Sequence, residues 1–359
     1  MIEFLKTFIN TIAAPEWFVS LAIVVFFVAL FWEKLWTPKP ALYVLGAAVA
    51  FFTVSLLDPN FRSIVTKADN VPIVAMLFLV GFFIWLSMSQ AYENDRRIGR
   101  GEKPMEASEP VSKVLVWPDL VYTEFICLIL FTVLLIVWSI FLKAPLEQPA
   151  NPGDSPNPSK APWYFLGLQE MLVYYDPWLA GVVFPSLIVV GLMAIPFIDK
   201  NKKGSGYYTF RERKVEITIF LFGFVILWVM LIATGTFLRG PNWNFFGPYE
   251  FWDVGKLPPL VNVNLSEYFW VKWLNTGLPK GWLLREAPGF IVVLLYLLTL
   301  PPLLARTLLR KYYEKLGPER YAVMVILLLS MGAMPVKMYL RWLFNLKYII
   351  AIPEYFFNI

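Results

Sequence analysis

Few residues of this chain are suited to chemistry, and most of them gather in one stretch, PANPGDSPNPSKAPWYFLGLQEMLVYYDPW, at 149–178. Its first part is too rich in Pro, Gly and Asn to be helical. From 163 to 175 the pattern becomes amphipathic. As a helix it puts Phe165, Leu168, Met171, Leu172 and Tyr175 on one broad face, leaves Gln169 and Asp176 at its edge and points Glu170 away. A rigid proline loop followed by an aromatic amphipathic helix at a membrane face can wall a pocket for a flat lipophilic ring. The same residues also suit an ordinary interfacial helix in an aromatic belt.

What is missing narrows the chemistry further. There is no histidine, which excludes histidine ligation of haem and a histidine proton switch. The one cysteine, Cys127, rules out an internal disulfide and any cysteine-built zinc or iron–sulfur site; inside an apolar run it reads as small core packing. A redox role therefore needs cofactors on other chains. No P-loop or glycine-rich nucleotide fingerprint is present. The net charge of +5 reports topology in a chain of this kind and implies no nucleic-acid partner.

The elements that position the stretch are membrane helices. The 359 residues are 58% hydrophobic and 16% charged, whereas a soluble domain is about a quarter charged. Apolar runs long enough to span lie at 17–35, 41–57, 72–90, 120–142, 178–198, 215–238, 288–308 and 321–340. The expected fold is an all-α polytopic membrane protein with about eight transmembrane helices and an amphipathic helix in an outer loop. Residues 1–16 lack the pattern of a cleaved signal. Pro335 and Lys337 fall near the end of the last run and leave it open to a re-entrant reading.

Lysine and arginine orient the spans. Lys34 and Lys39; Arg96, Arg97, Arg100, Lys103 and Lys113; Lys200, Lys202, Lys203, Arg211, Arg213 and Lys214; and Arg306, Arg310, Lys311, Lys315 and Arg320 all fall on one side, expected to be cytoplasmic. The 149–178 stretch then faces outward, with Glu147, Asp154, Glu170 and Asp176 against Lys143 and Lys160, and both termini face outward too. Lys337, Arg341 and Lys347 run against the rule, as contacts to lipid headgroups or a neighbouring subunit would. The loop 239–286, containing GPNWNFFGPYEFWD, is too aromatic to be disordered and is expected to pack on the outer face.

At Trp117-Pro118-Asp119-Leu120-Val121-Tyr122 the chain resembles the start of the first helix of subunit IV of plastoquinol–plastocyanin reductase, the counterpart of the C-terminal half of cytochrome b in bc-type complexes. The resemblance continues through the PANP turn, Pro162-Trp163-Tyr164, Phe210-Arg211 and Ala233-Thr234, and covers about 117–238. It implies a haem-free subunit of a quinol–cytochrome c reductase, set in a bacterial-type cytoplasmic membrane and working in proton translocation. The b-type haems would sit on a histidine-bearing cytochrome b N-terminal-type subunit. A Rieske iron–sulfur protein and a c-type cytochrome would complete a dimeric complex with bound lipids. Menaquinol is one quinol compatible with it, and nothing in the residues selects the species.

The resemblance also implies roles. Pro162, Trp163, Tyr164 and Phe165 would line the quinol-oxidation pocket. The family motif there is Pro-Glu-Trp-Tyr, and this chain has Pro162 in place of the glutamate, so the usual proton acceptor is missing. Glu170 is the candidate substitute, held between Trp163 and Tyr174; the bland alternative has it facing solvent or pairing with Lys160. Glu124, an acid one turn into the fourth span, is costly there unless paired or functional, and would mark an inner quinone site. The resulting division is 1–92 for three accessory helices and 93–116 for a cytoplasmic linker. The subunit-IV-like domain then takes 117–310, with its quinol loop at 144–177, and a further helix and outer tail take 311–359. Two other readings stay open: a structural membrane subunit without quinol chemistry, and a transporter or channel, which the scarcity of charge at mid-depth disfavours.

Overall fold

The structure, a computed structural model, describes residues 2–108, 113–144, 146, 149–201 and 208–359. Glu147, Lys202 and Lys203, used above for orientation, lie outside the described residues. The chain is an all-α multi-pass membrane protein. Its principal helices are α1 (Ile2–Ile12), α2 (Pro15–Phe31), α3 (Pro38–Ser55), α4 (Pro59–Val65) and α5 (Val71–Gly99). They continue with α6 (Val116–Phe141), α7 (Leu166–Met171), α8 (Leu179–Ile198), α9 (Lys214–Leu238), α10 (Ala287–Arg306) and α11 (Pro318–Phe344). Among the described residues seven helices are long and apolar enough to cross a membrane. Helix α2, with 17 residues, reaches about 25 Å and makes an eighth.

Proline at the first turn starts α2, α3, α4, α5, α10 and α11, where its missing N–H costs nothing and its fixed φ suits the helix. The spans alternate in direction. At one end lie α1, the loops 149–178 and 239–286 and the C-terminal tail. At the other lie the basic connections. There Asn94 donates to the Tyr208 carbonyl at 2.9 Å and accepts from the Met105 N–H at 2.9 Å, while Asp95 accepts from the Arg211 N–H at 2.9 Å. These bonds tie the linker after α5 to the connection before α9.

Helix α9 is the most buried span. Ile226, Leu227, Met230 and Leu231 on it pack with Val19 of α2, Met334 and Met338 of α11, and Met171, Tyr174, Tyr175, Leu179 and Ala180. Lower down, Leu221 and Phe210 pack with Leu30 of α2 and Met88, Ala91 and Tyr92 of α5. The N-terminal spans are thus built into the core around α9.

Four points add to or correct the sequence reading. Helix α1 is additional: residues 2–12 form a helix set at 80° to α2. The last span is one continuous helix of 27 residues that runs through Pro335, because Pro removes one internal bond while the packing on both sides persists. Lys337 lies within it, buried, and donates to the Lys347 carbonyl; Arg341 donates to the carbonyls of Val261 and Asn345 at 3.3 and 3.2 Å. Cys127 is exposed rather than packed, since no residue of α6 is buried.

The tail folds back on the loop end. Strands β1 (Ala351–Ile352) and β2 (Phe357–Asn358) pair antiparallel. Trp178 Nε1 donates to the Asn358 carbonyl at 3.0 Å, and Asn358 Nδ2 donates to Asp176 at 2.9 Å. Glu286, buried at the head of α10, accepts from the Ala351 N–H and from Arg285 Nε, each at 3.0 Å.

Candidate functional site at the loop end

The expected helix over 163–175 is shorter and turned. Residues Trp163–Phe165 make a single 3-10 turn, Leu166–Met171 form α7, and the chain then turns towards α8. Leu166, Gly167, Glu170, Met171, Tyr174 and Tyr175 are buried, whereas Phe165 and Leu172 are exposed. The physical reason is the approach of α7 to α9. A Cβ on Gly167 would stand 3.4 Å from Ile232, and one on Gly235 would stand 3.3 Å from the Leu166 carbonyl. Two glycines let the backbones close and bring the Glu170 side inward. Apolarity alone does not encode that.

Burial of Glu170 is made possible by Arg239, the first residue beyond α9. Its Nε donates to Glu170 Oε2 at 2.9 Å and its Nη2 to Oε1 at 2.6 Å. Its Nη1 donates to the Trp243 carbonyl at 3.1 Å, and the Tyr174 hydroxyl donates to Glu170 Oε1 at 3.3 Å. Burial works against the Arg239 charge, but the Glu170 carboxylate beside it wins and holds the guanidinium above its ordinary range. Burial, then the Glu170 charge, pushes the Tyr174 phenol up. Glu170 therefore neither faces solvent nor pairs with Lys160, and it sits in this buried pair rather than between the rings of Trp163 and Tyr174.

Lys160 points elsewhere. Its Nζ donates to the Thr236 carbonyl at 2.7 Å and stands 4.7 Å from the Trp252 ring centroid. Burial, and next the charge of Lys67, push it down to about 7. Among the described residues, the Thr236 hydroxyl and the indole nitrogens of Trp243 and Trp252 have no hydrogen-bond partner.

The proline segment is pinned by Gln169. Its Oε1 accepts from the Ala161 N–H at 2.8 Å and its Nε2 donates to the Ser159 carbonyl at 2.9 Å. Asn157 exchanges bonds with Asn242, at 2.9 Å from its Nδ2 and 2.6 Å to its Oδ1. So held, the turn after Pro162 leaves Trp163, Tyr164 and Phe165 exposed at 41, 47 and 50%. Their rings contact in series, at centroid distances of 5.7 and 4.6 Å. This is an uncovered aromatic row that follows a hydrogen-bonded polar frame in the chain.

Glu124 is not brought to this site. It lies in the first turn of α6 proper, at the opposite end of the bundle, exposed along with the rest of that helix. Residue-by-residue reading missed Arg239 as the partner of Glu170. The available signal was its position directly after a long apolar span, where a charged side chain needs a partner.

Residues 149–247 match the family model described as cytochrome b (C-terminal)/b6/petD. The match takes in the proline segment, α7, α8, α9, Arg239 and the start of the following loop. No solved structure matches the chain.

Proposed function

We propose that this chain, whose residues 149–247 match the cytochrome b C-terminal family model, is a haem-free subunit of a membrane quinol:cytochrome c oxidoreductase and supplies part of the wall of its quinol-oxidation pocket. The observation that carries this reading is the aromatic row Trp163–Tyr164–Phe165, left uncovered within those residues. A flat quinol ring stacks on such a surface. The Tyr164 hydroxyl can donate to or accept from a quinol oxygen.

In this reading quinol gives up two electrons and two protons at the loop end. The chain offers no histidine to a haem, so the electrons leave through partner subunits: a haem-bearing cytochrome b N-terminal-type chain, a Rieske-type protein and a c-type cytochrome. Release of the protons on one face contributes to proton translocation. This chain's residues bind and orient the ring. Glu170 enters first as a positioning residue, because its carboxylate oxygens are taken up by Arg239 and Tyr174. It can accept a proton only when its bonds to Arg239 open. Glu124, on the exposed surface of α6, keeps its proposed place near an inner quinone site that a neighbouring chain would complete.

The test is purification through a tag on this chain in gentle detergent, followed by a reduced-minus-oxidised spectrum and quinol-driven cytochrome reduction. Co-purifying b- and c-type bands are expected. Tyr164→Phe and Trp163→Ala are expected to slow turnover about tenfold or more while leaving the haem content unchanged. Intact assembly with unaltered turnover in both variants identifies a structural subunit instead. A folded chain without haem-bearing partners rejects the reductase reading. For Glu170→Gln, the pH profile of turnover separates the roles: loss of its acidic limb marks an acceptor, and an unchanged profile with weaker assembly marks a positioning group.

A further inference from the structure

Helix α1 divides cleanly into two faces. At about 100° per residue, Ile2, Phe4, Leu5, Phe8, Ile9 and Ile12 fall on one half, and Glu3, Lys6, Thr7, Asn10 and Thr11 on the other. The polar half is where the protein holds it. Lys6 Nζ lies 2.8 Å from Asp58 and 3.3 Å from Glu3. Asn10 Oδ1 accepts from the Tyr249 N–H at 3.0 Å. Gly247 approaches Asn10 so closely that a Cβ would stand 2.4 Å from its side chain. Tyr249 in turn shares a 2.7 Å hydroxyl bond with Ser55 at the end of α3, and its carbonyl accepts from Asn60 at 3.1 Å. On the apolar half, Ile2, Phe4, Leu5 and Phe8 are 69, 76, 55 and 52% exposed.

We propose that α1 is an in-plane anchor that lies in the surface of the bilayer leaflet at the loop end, with Phe4, Leu5 and Phe8 among the upper acyl chains. Three observations select lipid as the occupant. The helix turns 80° from the spanning α2, which sets it along the membrane plane rather than across it. Trp17 and Leu21, near the start of α2, are likewise apolar and exposed, as suits a span bounded by lipid. Its one basic residue, Lys6, is neutralised by Asp58 and Glu3, so the attraction is to acyl chains and not to anionic headgroups. Because the other face of α1 carries the 247–249 segment, the bilayer surface sets the height of that segment. The proposal does not depend on the quinol reading.

The experiment uses the full chain in its purified assembly, in phosphatidylcholine nanodiscs, with Cys127→Ser as background. Nitroxides are placed singly at Phe4→Cys, Phe8→Cys and Thr7→Cys, with Leu5→Cys replacing either Phe position that fails to assemble. Collision rates with oxygen and with a water-soluble nickel chelate give the depth of each label. The labels at 4 and 8 are expected to be oxygen-rich and nickel-poor at one common depth, about 5–10 Å into the headgroup–acyl boundary. The label at 7 is expected to be nickel-accessible, and added anionic lipid should change nothing. A depth difference near 6 Å between 4 and 8, at about 1.5 Å per residue, makes α1 part of a spanning segment and overturns the proposal. Protection from both reagents, which marks a protein partner, overturns it as well. So does nickel access at every position.

Discussion

Arg239 donates from Nε and Nη2 to both carboxylate oxygens of Glu170, a residue 69 positions earlier in the chain. The pair joins the end of α9 to α7 and fixes how the proline segment meets the central span. It is fully buried on the Glu170 side and nearly so on the other. Ion pairs of this kind gain little over apolar packing, but breaking one by halves leaves a charge stranded.

Single replacement is therefore expected to be worse than double replacement. Arg239→Gln or Glu170→Leu should each cost about 3–5 kcal/mol of stability. The double variant E170L/R239M should recover most of that. Thermal unfolding of the solubilised assembly measures it, and additive losses in the double variant would contradict the pairing.

Lys160 gives the fold a pH dependence of known sign. Burial, then Lys67, brings it down to about 7, whereas a lysine in an unfolded chain titrates near 10.4. Between those values the unfolded chain holds a proton that the folded chain lacks, so this contribution to stability rises with pH and is lost as pH falls towards about 7. The groups facing Lys160 are Lys67, Asp69, Glu170 and Arg239. The melting temperature of the parent minus that of Lys160→Met should accordingly increase from about pH 7 to about pH 9.5. A flat or falling difference rejects the assignment.

Gly289 is expected to be intolerant of any side chain. A Cβ there would lie 2.1 Å from the Ile349 carbonyl oxygen, and backbone cannot give way as a flexible side chain can. Gly289→Ala should free the C-terminal tail, read as faster hydrogen exchange at Ile349, Ile350 and Ala351. Gly281→Ala, with nothing within 4 Å of the added atom, should leave that exchange unchanged.

Gln169 should matter to the proline segment more than to the bundle. Gln169→Ala removes the bonds to Ala161 and Ser159, each worth about 1 kcal/mol. The expected result is readier proteolysis at 155–161 with a melting temperature within about 3 °C of the parent. Equal cleavage of parent and variant would show that Asn157–Asn242 suffices to hold the loop.

The spans were legible because a bilayer imposes length and apolarity on each helix separately. Runs such as 215–238 and 288–308 needed no knowledge of their neighbours to be placed. The family resemblance drew attention to Trp163 and Tyr164, and the structure leaves both exposed. What failed were features decided by pairs distant in sequence. The inward turn of Glu170 depends on Gly167 against Ile232 and on Arg239. The polar face of α1 has its partners at Asp58 and Tyr249. Of the three cations that ran against the charge rule, Lys337 and Arg341 are satisfied by carbonyls of the chain itself.

Helix α6 has no buried residue along its length, and an open apolar cleft of about 570 Å³, lined by Val71 and by Leu130 to Leu142, separates it from the start of α5. Hydropathy settles that this helix crosses the bilayer; it says nothing of which way the helix is turned. With no interlocking side chains in the described chain to act as a key, its rotation about its own axis is chosen by whatever stands next to it. The compass bearing of Glu124 is therefore not fixed by packing among the described residues. The same sequence set among different neighbours would aim that carboxylate at a different point of the membrane.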